Sequence, residues 1–385
     1  RNPRLSGGPS AALILAEVQG LAPSHLSGAL EVFGPRAALV IANPNGIQAD
    51  GLSTINVSAL TLSTGRVLEG APRLLLDVRQ GEVTLGAQGV NTDGLAAFDV
   101  VAHTIRVQGA IAPGSGGAPA ALRLQAGASR YDAALREVMP QTLETATPAL
   151  IAGSALGAMH GAYIRLRASG SGAGVRMQGV LASAQDLIVQ ADGQVSLRTS
   201  AARGEIRVQA GQDLELGAAD SQTLARQALA LHAGGAIQVQ GQGQAGRLTI
   251  EGRSLSWDAG VWRVRGVPEH EAIRITLAQG YRSAKAATLT LDQGHARLRA
   301  GSLAQAGLLA ARDGEIQLQL GGAAHNAGRI EASRALVIKT PATLDNAGEL
   351  RGQRLQARSG RAAKQRRNAN GCGRSEALEP DHAAQ

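Results

Sequence analysis

Short runs of alternating apolar and polar residues fill the chain between positions 162 and 360. Examples are Glu205-Ile206-Arg207-Val208-Gln209, Asp213-Leu214-Glu215-Leu216, Ala236-Ile237-Gln238-Val239-Gln240, Arg247-Leu248-Thr249-Ile250-Glu251, Ile273-Arg274-Ile275 and Glu315-Ile316-Gln317-Leu318-Gln319-Leu320. A period of two sends successive side chains to opposite faces of a strand, so each run predicts a strand with one buried and one wet face. Residues 1–112 carry similar runs between turn signals. Val40-Ile41-Ala42 leads into Asn43-Pro44-Asn45-Gly46, Leu60-Thr61-Leu62 follows Asp50-Gly51, and Arg73-Leu74-Leu75-Leu76-Asp77-Val78 precedes Gln80-Gly81. Short strands bounded by Gly, Asn and Asp read as an all-β chain.

A repeat gives these strands an arrangement. Asn326-Ala327-Gly328-Arg329-Ile330-Glu331-Ala332 recurs 20 residues later as Asn346-Ala347-Gly348-Glu349-Leu350-Arg351-Gly352, and Gln305-Ala306-Gly307-Leu308-Leu309 is a fainter copy 21 residues earlier. A period near 20 predicts a right-handed parallel β-helix, one repeat per coil, with coils stacked about 4.8 Å apart. The Leu/Asn spacing of a leucine-rich repeat is absent. Asn-Ala-Gly at one coil position suits a tight corner, where Gly accepts positive φ and Asn bonds the local backbone or the Asn of the next coil.

Two stretches break the pattern. In 113–161, Pro113-Gly114-Ser115-Gly116-Gly117 reads as a linker or loop. Tyr131-Asp132-Ala133-Ala134-Leu135-Arg136-Glu137-Val138-Met139 predicts a short helix, stopped by Pro140. This stretch is an excursion from the coil array, or else a boundary between two domains. After Gly360 the chain is polar and unpatterned, and 361–385 is expected to be a disordered tail. The division is therefore 1–112, 113–161, 162–360 and 361–385.

Composition narrows the core. The chain has 50 Gly but only two Phe, two Trp and three Tyr. Ala, Leu, Val and Ile must fill the interior, as suits a narrow core of many short strands. Trp257 and Trp262 lie close together; buried, they widen or cap a coil, and exposed they stack on a sugar, burial being the expectation. The single Cys372 excludes an intramolecular disulfide. A net charge of +8 favours anionic partners such as sulfated glycans. The basic cluster Arg361, Lys364, Arg366 and Arg367 has no interleaved aromatics, so a stacking platform for nucleic acid is not expected. No run of 18 apolar residues predicts membrane insertion. The chain opens without Met or a leader-like segment, as a piece of a longer precursor would.

Catalytic constellations are not apparent. The eight histidines are scattered, and Glu269-His270-Glu271, after Pro268, reads as a solvated turn. Glycan-cleaving β-helices need clustered carboxylates on one exposed sheet. Asp186, Asp192, Glu205, Asp213 and Glu215 are instead spread along the chain. Neither an enzyme activity, a metal nor a cofactor is expected.

Asn2-Pro3-Arg4-Leu5 and Asn43-Pro44-Asn45-Gly46-Ile47 resemble the paired NPNL and NPNGI motifs of two-partner secretion exoproteins, the family of filamentous haemagglutinin, related haemolysins and contact-dependent inhibition carriers. The second motif is intact; in the first, Arg4 replaces Asn. Leu30-Glu31-Val32-Phe33-Gly34, Leu52-Ser53-Thr54-Ile55-Asn56 and Ala155-Leu156-Gly157-Ala158-Met159 are similar to that family too. The resemblance covers about residues 1–200 and makes 1–112 the C-terminal part of a secretion domain, the family's opening segment being absent. It implies a secreted or surface-exposed adhesin, exported through an outer-membrane transporter and attaching to host-cell glycans or receptors, with no nucleic-acid partner. The stalk of a contact-dependent toxin carrier is the alternative, and a β-helical polysaccharide lyase or hydrolase a third. Asn2, Pro3, Leu5, Asn43, Pro44, Asn45, Gly46 and Ile47 become the secretion-motif residues. In this turn Pro44 fixes φ, Asn45 and Gly46 tolerate positive φ, and Ile47 re-enters the core.

Overall fold

The computed structural model describes residues 11–68, 73–141, 148, 150–360 and 364–365. Every regular element among them is a strand. The chain divides into two compact units, Arg1–Gln194 and Val195–Gln385.

Unit one is a stack of parallel coils. The first coil holds β1 (Leu13–Glu17) and β2 (Ser24–Glu31), the second β3 (Ala37–Ala42) and β4 (Ile47–Ile55). The third starts with β5 (Val57–Ser63), detours through β6 (Arg66–Val67) and β7 (Leu75–Val78), and resumes with β8 (Glu82–Leu85) and β9 (Val90–Asn91). The fourth holds β10 (Ala97–Ala102), β11 (Thr104–Val107) and β12 (Ile111–Ala112). The fifth starts with β13 (Ala121–Ala126), detours through β14 (Ser129–Asp132) and β15 (Glu137–Pro140), and resumes with β16 (Leu150–Gly153) and β17 (Met159–Gly161). Then come β18 (Tyr163–Ala168), β19 (Gly174–Ser183) and β20 (Leu187–Ala191).

Alternation decides which side chains go inside. Ile14, Leu39, Leu60, Phe98, Leu122, Ile164 and Leu187 stand in register from coil to coil. From Leu60 onward each is fully buried. Each such side chain contributes roughly 1.5–3 kcal/mol over its exposed state. The odd members of the same strands should then be wet. In coils two to four they are not: Val40, Thr61 and Asp99 share one outward position and Ala42, Ser63 and Val101 the next, and all six are buried.

Their cover is a separate four-stranded sheet in the order β15-β14-β7-β6. All three pairings in it are antiparallel. One cross-strand row runs Val138, Tyr131, Leu76, Val67. This row packs with Val40, Ala42, Val101, Leu13 and Leu15 into a second hydrophobic cluster outside the coils. Leu76, Val78 and Tyr131 are at most 1% exposed there.

The cover corrects two expectations. Residues 131–139 form no helix: they close a β-hairpin around the turn at 133–136. Asp132 Oδ1 accepts the N–H groups of Ala134 and Leu135 (2.9 and 3.0 Å), and Arg136 takes φ +55°. An Asp that bonds its own turn backbone competes with helix formation, and burial of Tyr131 and Val138 on one face outweighs the helix propensity of Ala-Ala-Leu-Arg-Glu. Strand Leu75–Val78 is present as expected, but it belongs to the cover and not to a coil.

Unit two repeats with fewer interruptions. Ile206, Leu229, Leu248, Ile273, Ala296, Ile316, Leu336 and Leu355 stand in register on one face, so each coil takes 19 to 25 residues. The Asn repeat falls at one corner. Ser283, Gln305, Asn326 and Asn346 occupy one inward position in successive coils. Ser283 Oγ donates to Gln305 Oε1 (2.8 Å) and Asn326 Nδ2 to Asn346 Oδ1 (2.7 Å), so that of the two uses open to the Asn, backbone bonding and a ladder, the ladder is present. Trp257 and Trp262 are buried edge to face, with centroids 5.3 Å apart, as expected. A Cβ on Gly243, the neighbour of Trp262 in the preceding coil, would lie 2.1 Å from its ring, so the indole needs a glycine there. Cys372 and residues 366–385 lie outside the described residues, while Lys364–Gln365 pairs with Asp345–Asn346.

Candidate functional site

The intact motif forms the corner between β3 and β4. Gly46 N–H donates to Asn43 O (3.1 Å), closing a four-residue turn with Pro44 and Asn45 in the middle. Pro44 suits the first central position, where its φ is already set. Only Gly46 takes a positive φ (+117°); Asn45, which also tolerates one, does not. Ile47 re-enters the core at 2% exposure.

The side chains of this turn hold neighbouring coils. Asn43 is fully buried. Its Nδ2 donates to Ala22 O (3.0 Å) and Ser24 Oγ (2.9 Å) in the first coil, and its Oδ1 accepts Asn45 N–H (2.9 Å). Asn45 Nδ2 donates to Gly20 O (2.6 Å). In the other direction, Asn43 N–H donates to Ser63 O (2.9 Å) in the third coil. There Gly81 lies so close that a Cβ on it would sit 2.8 Å from Pro44 O. Asn43, Gly46 and Ile47 are buried, and Pro44 and Asn45 are partly exposed. The corner is thus a clamp across three coils, with little surface left over. Asn2, Pro3 and Leu5 lie outside the described residues.

A second polar constellation was not singled out from the sequence. Asp99 on β10 is 2% exposed at its side chain, and Arg136 Nη2 is 2.7 Å from its Oδ2. Tyr131 O–H donates to the same oxygen (3.0 Å) and lies 3.3 Å from Thr61 Oγ1. Burial, then the Asp99 carboxylate, pushes the Tyr131 phenol up from its ordinary value. The lone acid inside the apolar run Ala97-Phe98-Asp99-Val100-Val101 was the available signal.

The carboxylates considered for glycan cleavage serve the scaffold. Asp192 accepts Gly170 N–H (2.8 Å), Asp213 accepts Ala236 N–H (2.8 Å), and Glu205 pairs with Arg207 (3.0 Å). Glu269 takes φ +59° in the turn after Pro268, and Glu271 pairs with Arg274 and Arg297. Among the described residues, no three His, Cys, Asp or Glu side chains converge as a metal site would need. On the outer face of unit two, Thr276, Arg299, Gln319, Lys339 and Arg358 share one register position. Arg299, Lys339 and Arg358 are exposed there.

Comparison with known proteins places this architecture. The profile of the TPS secretion domain matches residues 6–197. Filamentous hemagglutinin of Bordetella pertussis (strain Tohama I) is 45% identical over 215 residues, covering 55% of this chain and 6% of that protein. Toxin CdiA of Yersinia pestis is 34% identical over 198 residues, covering 50% and 6%. The protein adenylyltransferase and cysteine protease IbpA of Histophilus somni is 31% identical over 197 residues, covering 47% and 5%. The crystal structure of a filamentous hemagglutinin secretion domain shares 40% identity, with 60% of this chain and 75% of that chain covered and a TM-score of 0.49. The chain thus spans about 6% of the length of the relatives it matches. With a TPS secretion domain across about half of its length, this chain belongs to the two-partner secretion exoproteins, a family of secreted and cell-surface proteins that includes filamentous hemagglutinin.

Proposed function

We propose that the chain is part of an adhesin that leaves the cell through an outer-membrane transporter of the two-partner type and attaches to acidic glycans on a target cell. The match of residues 6–197 to the secretion domain carries the export half of this reading. The intact corner at Asn43–Ile47 serves export by ordering the first coils, since its side chains are spent on neighbouring coils. Direct contact with the transporter falls to Pro44 and Asn45, the partly exposed pair. Co-expression tests this half: the chain, fused behind an export signal, reaches the medium only when a filamentous hemagglutinin transporter is present. Equal release without the transporter overturns it.

The attachment half rests on charge. Among the described residues, Arg299, Lys339 and Arg358 have no acidic partner and line one exposed ladder. At a coil spacing of about 4.8 Å these cations stand two coils (Arg299 to Lys339) and one coil (Lys339 to Arg358) apart, a row along which the anions of an acidic polysaccharide can lie. Retention on a heparin column, lost when all three become Gln, is the expected result, and flow-through at low salt overturns it. The reading assigns no catalysis to these residues. The CdiA relatives favour a second reading, in which the same coils form the stalk of a contact-dependent toxin. A toxin domain encoded downstream of this segment would decide for it.

A further inference from the structure

We propose that the four-stranded cover is a clasp that closes only once β14 and β15 are available, and that this closure makes the first five coils one cooperative body. In a plain solenoid each coil contacts only its neighbours. Here the partner of β7, an insertion of the third coil, is β14, an insertion of the fifth (Leu76 opposite Tyr131). Without β14, β7 pairs only with the two-residue β6, and a lone two-stranded hairpin is marginal in water. Leu76 and Val78, both fully buried in the closed cover, would face solvent.

The fourth coil depends on the same event. Asp99 is buried once the cover is down, and an uncompensated charge there is costly. Its cation, Arg136, and its hydrogen-bond donor, Tyr131, both come from the β14–β15 hairpin. Tyr131 also reaches Thr61 of the third coil, and the cluster beneath takes in Leu13 and Leu15 of the first and Val40 of the second. The clasp therefore reads whether the chain has been delivered as far as Pro140, and fixes the earlier coils only then. This order is a property of the chain and needs no transporter.

Pulsed hydrogen exchange during refolding of the full chain tests it. The amides of β7 are expected to gain protection together with β14 and β15, and later than β8 and β11, which follow β7 in sequence but need only neighbouring coils. Protection of β7 with or before β8 would overturn the clasp. In the native state, Arg136→Gln is expected to speed exchange of β7 and β14 by one common factor, at least about tenfold. Asp99→Asn combined with Arg136→Gln is expected to recover most of that loss, because no lone charge remains buried. If Arg136→Gln does not fold, Tyr131→Phe is read instead, with a common increase of about fivefold. Faster exchange confined to the β14–β15 hairpin, with β7 unchanged, overturns the proposal for either variant.

Discussion

The outward positions of the two units meet opposite fates. In unit one, Val40, Thr61, Asp99 and Val101 point away from the coil interior and are nevertheless buried beneath a second sheet. In unit two, Arg299, Lys339 and Arg358 occupy a comparable outward ladder and stay exposed. Stacking constrains only the inward set of each strand, so the outward set is free for other uses. One unit uses it for a second core that ties together coils not adjacent in the stack. The other leaves it as surface, and stays close to a one-dimensional array of nearest-neighbour contacts.

The largest test of that contrast is a matched pair of core truncations. Leu76→Ala and Leu318→Ala each remove a buried leucine and are each expected to cost about 2–5 kcal/mol. Hydrogen exchange should separate them. Leu76→Ala loosens β7, β14 and β10 together, whereas Leu318→Ala loosens its own coil and the coils on either side. Uniform loosening of the whole 206–359 stack by Leu318→Ala would remove the distinction.

A smaller effect sharpens the comparison at the corners. Asn43→Ala leaves Ala22 O and Asn45 N–H without their partner and is expected to cost about 1–3 kcal/mol, read by urea unfolding. Its exchange signature should reach the first coil through Ala22 and Ser24. Asn326→Ala breaks the ladder to Asn346 at a similar cost, with changes limited to the neighbouring coils.

The smallest effect is one of pH. Burial holds the imidazole of His103 below its ordinary 6.5. The folded chain therefore resists a proton that the unfolded chain accepts, so this contribution is intact above pH 6.5 and fades as pH falls below it. His103→Gln should flatten the acid side of the stability profile of unit one. The tryptophan emission of unit two, from Trp257 and Trp262, should not change. A variant profile that tracks the parent below pH 6.5 would assign the acid sensitivity to other groups.

Much of this was legible in the chain. The strand at Ile206–Ala210, the one at Leu214–Leu216 and the second half of the long one at Leu308–Leu320 fall on alternating runs, because burial of one strand face is a local, period-two demand. The corner at Asn43–Gly46 was also visible, since Pro and Gly mark a turn by their own backbone limits. What the corner holds was not: Ser24, Ala22 and Gly81 reach it only through stacking. The hairpin at 129–140 is not legible in the chain, because its local propensities favour a helix while its strands depend on β7, some 50 residues earlier.

Sequence by itself determined most coil strands, their inward face, the approximate period and the Asn corner. All of these rest on residues within one repeat of each other, whose pattern survives without knowledge of distant partners. Only the tertiary structure decided that Asp99 is buried, that Arg136 and Tyr131 bond its Oδ2, and that two insertions meet over β10. Such choices depend on which surfaces come together across many residues, and alternation along a single strand carries no record of what will cover its outer side.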